Sequence, residues 1–278
     1  MRVYLSVDME GLAGISHAGP TRRDELGYAA AVRLMEGETN AAIAGAYDGG
    51  ATAVVVNDSH GSMYNLTAEA IDRRARLVQG RKALSMVEAA AEGSFGAALF
   101  VGYHARAGHP RGTIAHTYTA SPTLTTLCGR PVGEYAINAL YLGALGIAVA
   151  MVSGDDALAE EVADWLPWAE RVVVKRASGW QAADSLHPED ARELIREGAR
   201  VGVSRVVAGG PEAPRSLVLE PPIRVGLELR HAGQADFAAV IPGFERVADR
   251  GVVYHAPDAL SAYRGFLAAV RLAGLADD

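Results

Sequence analysis

The segment VYLSVDMEG (residues 3–11) decides how the start of the chain folds. Apolar side chains alternate with others through residue 7, which predicts a short β-strand that begins almost at residue 1. Asp8 and Glu10 follow at its carboxyl end, and residues two apart in an extended chain point to the same side. Two buried carboxylates repel each other, and a bound cation is the simplest remedy. The alternative is that Asp8 caps a turn and Glu10 is solvated.

Strand and helix patterns alternate along the chain after this segment. Buried strands are predicted at 51–56, 97–102, 147–152 and 172–175, and helices at 24–47, 83–93, 131–145 and 153–165. This alternation predicts an α/β fold with an open, mostly parallel sheet and helices on both faces.

The character of the sequence changes near residue 187. A helix is predicted from 187 to about 200, strand-like runs at 223–230 and 249–255, and a last helix at 257–273, with a proline-rich stretch at 211–222. We therefore predict a metal-binding catalytic domain over residues 1–180 and a smaller α+β domain over residues 181–278.

Composition limits the classes of function. Half of the residues are hydrophobic and the formal net charge is -7, so the chain is globular and acidic. The arginines are scattered, and no Lys/Arg-rich run predicts a nucleic-acid partner. No apolar run is long enough for a membrane span, and no signal-peptide pattern precedes the first strand. A single cysteine, Cys128, excludes an internal disulfide. We expect a cytoplasmic protein.

Polar residues of metal-ligand type follow several of the predicted strands. The pairs are Asp8/Glu10, Asp58/His60, His104/Arg106 and Asp155/Asp156. Ligands of open α/β sheets bind outside the carboxyl ends of the strands, so we expect these side chains to converge. Carboxylates and imidazoles together suit Zn, Mn or Fe, and a shared carboxylate can bridge two ions that activate a water.

Each residue also has a structural alternative. Asp58 suits a turn or helix cap, and Asp155 and Asp156 suit the first turn of the helix that they open. His60 and His104, taken singly, suit a core or a surface. The occurrence of such residues together, at the ends of several strands, favours a metal site.

Several motifs together resemble the zinc D-aminopeptidases of the dipeptide-operon type. They are SVDMEG (6–11), VNDSH (56–60), SMVE (85–88), GYHAR (102–106), PVGE (131–134), GDD (154–156), GQAD (233–236) and PG (242–243), in the family's order and over nearly the whole chain. The resemblance implies two zinc ions per subunit, removal of N-terminal D-residues from short peptides, and a homodecamer whose sites face an inner chamber.

The resemblance also implies a role for individual residues. Asp8 matches the ligand that bridges the ions. Glu10 and His104 are implied to hold one zinc, and His60 and Glu134 the other. Glu134 alternatively interacts with the dipole of its own predicted helix.

The family's catalytic histidine, described as a nucleophile, is matched by His116, with His109 as a competitor. On physical grounds we expect His116 to act as an acid or base, or to stabilise the oxyanion. Two other functions fit the same residue types, a two-metal phosphoesterase and a non-catalytic metal-stabilised binding module.

Overall fold

The computed structural model describes residues 1–277, in which strands and helices alternate through the first two thirds. The strands are β1 (Arg2–Val7), β2 (Ala53–Asp58), β3 (Ala75–Val78), β4 (Phe95–Val101), β5 (Pro122–Leu127), β6 (Arg130–Pro131), β7 (Ala148–Asp155), β8 (Glu170–Gly179), β9 (Ala182–Ser185), β10 (Ile223–Leu229), β11 (Phe244–Arg246) and β12 (Gly251–Ala256). The helices are α1 (Tyr28–Asp48), α2 (Glu134–Ala144), α3 (Asp156–Trp165), α4 (Pro188–Ala208), α5 (Ala232–Ala239) and α6 (Ala259–Gly274).

The larger sheet has the strand order β3-β2-β1-β4-β7-β8-β9. All of its neighbouring strands pair in parallel except β9, which is antiparallel to β8. The predicted mostly parallel sheet is therefore confirmed. Because β1 lies near the middle, its carboxyl end is flanked by those of β2 and β4.

Apolar layers cover both faces of this sheet. Val3, Leu5 and Val7 of β1 share one layer with the buried stripes of α1 and α4. Tyr4 lies in the other layer, with residues of α2 and α3. Successive strand residues point to opposite faces, so a continuously apolar strand is buried on both.

A smaller antiparallel sheet has the order β11-β12-β10-β5-β6, and α5 and α6 pack against it. It contains the predicted C-terminal strands. The two sheets do not divide the chain at residue 180, because β9 and α4 belong with the parallel sheet, whereas β5 pairs with β10 and β6 pairs with β5. The boundary between domains at 180/181 stays a prediction.

The helix predicted over 83–93 is wrong. The segment contains two short 3-10 turns, Ser85–Val87 and Ala90–Glu92. Ser85 and Ala89 have positive φ angles of 52° and 64°, which an α-helix does not permit. The Tyr4 hydroxyl donates to the Met86 carbonyl at 3.1 Å, so a strand side chain uses a carbonyl that a helix would need.

Helix α1 begins at Tyr28, later than the predicted residue 24, because Gly27 adopts a φ of 94° immediately before it. Several elements were not predicted, namely β3, β5, β6, β9, β11 and α5. Within residues 1–277, no helix is both long and apolar enough to cross a membrane.

Candidate metal centre

The carboxyl ends of three adjacent strands bring the candidate ligands together. Val7 at the end of β1 lies beside Asp58 of β2 and Val101 of β4. The chain segments that follow each strand carry Asp8, His60 and His104. The parallel register therefore produces the convergence that the sequence predicted.

Two glycines allow the segments after β1 and β4 to approach closely. The Gly11 N–H donates to the Gly102 carbonyl at 2.8 Å. A Cβ atom on Gly11 would lie 1.8 Å from the Tyr103 carbonyl oxygen, and one on Gly102 would lie 2.3 Å from the Asp8 carbonyl oxygen. Any side chain at either position would force Asp8 away from His104.

Asp8 lies between two histidines and presents one carboxylate oxygen to each. His60 Nδ1 is 3.1 Å from Asp8 Oδ1 and 2.9 Å from Glu10 Oε2. His104 Nε2 is 3.4 Å from Asp8 Oδ2 and 3.4 Å from Glu134 Oε1. All five side chains are buried. One carboxylate facing two imidazoles is the arrangement that a bridging ligand requires.

All three histidines of the site donate one ring N–H to a main-chain carbonyl. His60 Nε2 donates to the Thr21 carbonyl at 2.7 Å, His104 Nδ1 to the Ala105 carbonyl at 3.0 Å, and His116 Nδ1 to the Ile114 carbonyl at 2.8 Å. A carbonyl oxygen only accepts, so the bonded nitrogen carries the proton. The other nitrogen of each neutral ring then offers its lone pair to the carboxylate cluster, as in metal-ligating histidines.

Among the described residues, the lack of a hydrogen-bond partner for the buried His104 Nε2 is the most direct evidence for an ion. This atom is buried and has no hydrogen-bond partner within residues 1–277. Its two 3.4 Å neighbours, on Asp8 and Glu134, are too far for a good hydrogen bond. Two atoms bound tetrahedrally at about 2.0–2.2 Å from zinc lie roughly 3.3–3.5 Å apart. The residues present therefore fit zinc.

The ligand atoms form two compact triples. Those of Asp8, Glu10 and His104 lie within 4.8 Å of one another, and so do those of His104, His116 and Glu134. His60 belongs to neither triple, although it directly contacts Asp8 and Glu10. The direct contacts join His60 with Glu10 and His104 with Glu134. The first triple joins Glu10 with His104, which is the pairing that the family resemblance implied.

The buried charges shift one another's pKa values. Burial alone raises the pKa of Asp8, but the imidazoles of His104 and His60 hold it below its ordinary value. Burial alone lowers the pKa of His60, but the negative charges of Glu10 and Asp8 raise it well above normal. The pKa of His104 is raised in the same way by Glu134 and Asp8. In the zinc-free protein, the raised pKa values of His60 and His104 favour their protonated rings, which supply the positive charge that an ion would otherwise bring.

His116 lies beside the cluster and is the most accessible member of it. Its side chain is 29% exposed, against 1% for His104, on which its ring stacks. Its Nε2 is 3.8 Å from Glu134 Oε1. His116 lines a cavity of about 730 Å³ together with Asp8, Glu10, His60 and Glu134. A second cavity, of about 480 Å³, adjoins it and is also lined by His116.

His109 does not line either of these cavities. Its Nδ1 accepts the N–H groups of Arg111 and Gly112 at 3.2 and 3.1 Å, so it stabilises a turn. Burial and the Arg106 charge lower its pKa. Its surroundings indicate a structural role.

The remaining aspartates at the strand ends support the backbone. Asp58 accepts the N–H groups of Asn65 and Leu66 at 2.6 and 2.9 Å. Asp155 caps α3 through Leu158 and also accepts the Thr113 N–H at 2.8 Å, in the segment that carries His116. Asp156 accepts the Ala177 N–H at 2.8 Å. None of the three lines either cavity, so their surroundings match the turn and helix-cap roles that the sequence analysis gave as alternatives.

Sequence reasoning missed Lys175, which lies on β8 far from the metal-ligand motifs. Its buried ammonium donates to the carbonyls of Glu10, Leu12 and Ile15. Burial lowers its pKa to about 8. A lysine within a strand of apolar pattern, VVVK (172–175), was the one signal available. Lys175 fixes the backbone on which Glu10 stands.

Comparisons with known proteins identify the family of this chain. A family model described as D-aminopeptidase matches residues 1–268. A D-aminopeptidase of Bacillus subtilis (strain 168) is 35% identical over 277 residues, which cover 98% of this chain and 98% of that protein. A solved structure, "Zn-dependent D-aminopeptidase DppA from Bacillus subtilis, a self-compartmentalizing protease", aligns with a TM-score of 0.92 at 33% identity over 99% of this chain and 98% of that one. This chain belongs to the D-aminopeptidase family, as its motifs predicted.

Proposed function

We propose that the protein is a two-zinc aminopeptidase that removes N-terminal residues, preferentially D-residues, from short peptides. The observation that carries the proposal is the shared position of Asp8, which presents one oxygen to His60 and the other to His104. A relative that aligns over nearly the whole chain is described as a Zn-dependent D-aminopeptidase.

Asp8 would be shared by both ions. Glu10 and His104 would complete the ligands of one ion, and His60 and Glu134 those of the other, as the family resemblance implies. The ligand atoms of Asp8, Glu10 and His104 lie within 4.8 Å of one another, which supports the first of these groups. Zinc bound there would polarise the scissile carbonyl and lower the pKa of an attacking water.

His116 is suited to transfer a proton during the reaction. Its Nδ1–H is committed to the Ile114 carbonyl, so Nε2 is free to accept a proton from the nucleophilic water and to donate it to the leaving amine. Glu134 faces that nitrogen and would stabilise the charged ring. The Tyr118 N–H, 2.5 Å from Glu134 Oε1, holds the carboxylate in place.

The enclosing cavity favours small substrates. Its volume of about 730 Å³ lies within the range of small-ligand sites, and His116 is one of its lining residues. A short peptide chain fits such a cavity, whereas the surface of a folded protein does not enter it.

The proposed assembly is a homo-oligomer, and the family resemblance implies a decamer. One structural relative is described as self-compartmentalizing. Light scattering of the purified protein is expected to give a mass near ten subunits, and a monomer or dimer at micromolar concentration would contradict it. We also propose a cytoplasmic location, because a sequence with a single cysteine fits a reducing compartment.

The test of this function is the rate at which the zinc-loaded protein hydrolyses three substrates, D-Ala-p-nitroanilide, L-Ala-p-nitroanilide and p-nitrophenyl phosphate. We expect the first to be hydrolysed fastest and the phosphate ester not at all. Hydrolysis of the phosphate ester alone would indicate a phosphoesterase. Turnover of none of the three would indicate a metal-stabilised binding module.

A further inference from the structure

The larger cavity carries opposite charges on different parts of its wall. Asp8, Glu10 and Glu134 lie on one part, and Arg81 and Lys82 lie on another. The carboxylates are accounted for by the metal centre. The two cations have no part in it.

Neither cation is in direct contact with a carboxylate of the described residues. Within residues 1–277, neither Arg81 nor Lys82 forms a salt bridge. Lys82 Nζ donates to the Asp58 carbonyl at 2.5 Å, which leaves two of its protons for a ligand. Arg81 is exposed and lines the cavity, and within residues 1–277 its side chain donates no hydrogen bond.

The backbone that carries the two cations is held in place. Arg271 of α6 donates to the carbonyls of Ala83 and Lys82, each at 2.9 Å. The chain therefore fixes this segment against α6 while its cationic side chains face the cavity. Such fixing reduces the entropy that a ligand must overcome to order them.

The metal centre, once loaded, cannot offset the positive charges of Arg81 and Lys82. Three carboxylates contribute -3, and two dications contribute +4, which leaves a positive centre. A peptide whose N-terminal end lies at that centre has its own C-terminal carboxylate a few residues away, at about 3.3–3.6 Å per extended residue. The cations on the same cavity wall suit that carboxylate.

We propose that Arg81, assisted by Lys82, binds the free C-terminal carboxylate of the substrate and so selects short peptides that end inside the cavity. This inference rests on the proposed function, because it requires the N-terminal residue to lie at the metal centre. A guanidinium binds a carboxylate with paired, charge-assisted hydrogen bonds.

The test compares D-Ala-D-Ala with D-Ala-D-Ala amide, which differ only in the charge at the C-terminus. We expect Arg81→Gln to lower the ratio of kcat/KM for the free acid to that for the amide roughly tenfold or more, chiefly through KM of the free acid. Arg81→Lys keeps the charge and should retain part of the preference. Turnover of the amide reports that each variant is folded.

Arg33→Gln is the matched control, since Arg33 is exposed on α1 and lines neither cavity. Its ratio should equal that of the parent protein. An unchanged ratio in Arg81→Gln, or an equal loss on acid and amide, would overturn the proposed role of Arg81 and leave the peptidase function standing. A zinc-loaded parent that cleaves neither substrate would instead overturn the proposed function.

Discussion

The rings of His104 and His116 are stacked, with centroids 4.1 Å apart and planes inclined by 13°. One ring faces the buried carboxylates and the other borders the cavity. The pair thus connects a histidine suited to hold an ion with a histidine suited to exchange protons with a substrate.

His116→Ala should keep the zinc content and lose most of the turnover. The loss expected for a general acid or base is roughly 100- to 10,000-fold. Zinc per subunit is measured after gel filtration, beside turnover of a D-alanyl substrate. His109→Ala serves as the control and should leave turnover nearly unchanged. Loss of zinc from His116→Ala would place His116 among the ligands, and full turnover would exclude it from the chemistry.

Zinc affinity should increase with pH. The pKa values of His60 and His104 are raised in the zinc-free protein because burial is outweighed by the neighbouring carboxylates. Protonated rings do not bind metal, so lowering the pH favours the proton and raising it favours zinc. Each displaced proton contributes about tenfold in affinity per pH unit. Chelator competition between about pH 6 and 8 measures this slope, and a flat profile would contradict it.

Lys175→Met should destabilise the zinc-free protein. The change leaves three buried carbonyls without their donor, and the free energy of unfolding should fall by about 1–3 kcal/mol. Zinc affinity should fall as well, because Glu10 carries one of those carbonyls. Urea unfolding gives the stability change. Arg176→Met, on the exposed neighbour in β8, should change neither quantity, and equal behaviour of the two variants would refute the role of Lys175.

Much of the parallel sheet follows from local pattern. The strands β1, β2, β4 and β7 are apolar over most of their length, and each is long enough to be recognised by itself. Their polar successors were then assigned to one edge by the geometry of parallel sheets. The positions of Asp8, His60 and His104 required no other information.

The features of the fold and of the site that the sequence did not predict depend on contacts between distant segments. The strand β5 has the sequence PTLTTL and pairs with β10, about a hundred residues later, so its pattern alone was uninformative. The predicted helix over 83–93 fails because side chains of β1 and β2 take its carbonyls. The direct contacts of His60 with Glu10 likewise depend on side-chain packing.

The central claim is that Asp8 bridges two ions, and Asp8→Asn tests it most directly. An amide retains the shape but removes the charge that offsets two dications roughly 3.5–4 Å apart. Zinc per subunit after gel filtration is measured beside turnover of a D-alanyl substrate, with Glu10→Gln for comparison. The account predicts that the zinc content of Asp8→Asn falls from two ions per subunit toward one or none, and that excess zinc does not restore its turnover. The turnover of Glu10→Gln should be partly restored by added zinc. Two retained ions with full turnover in Asp8→Asn would contradict it.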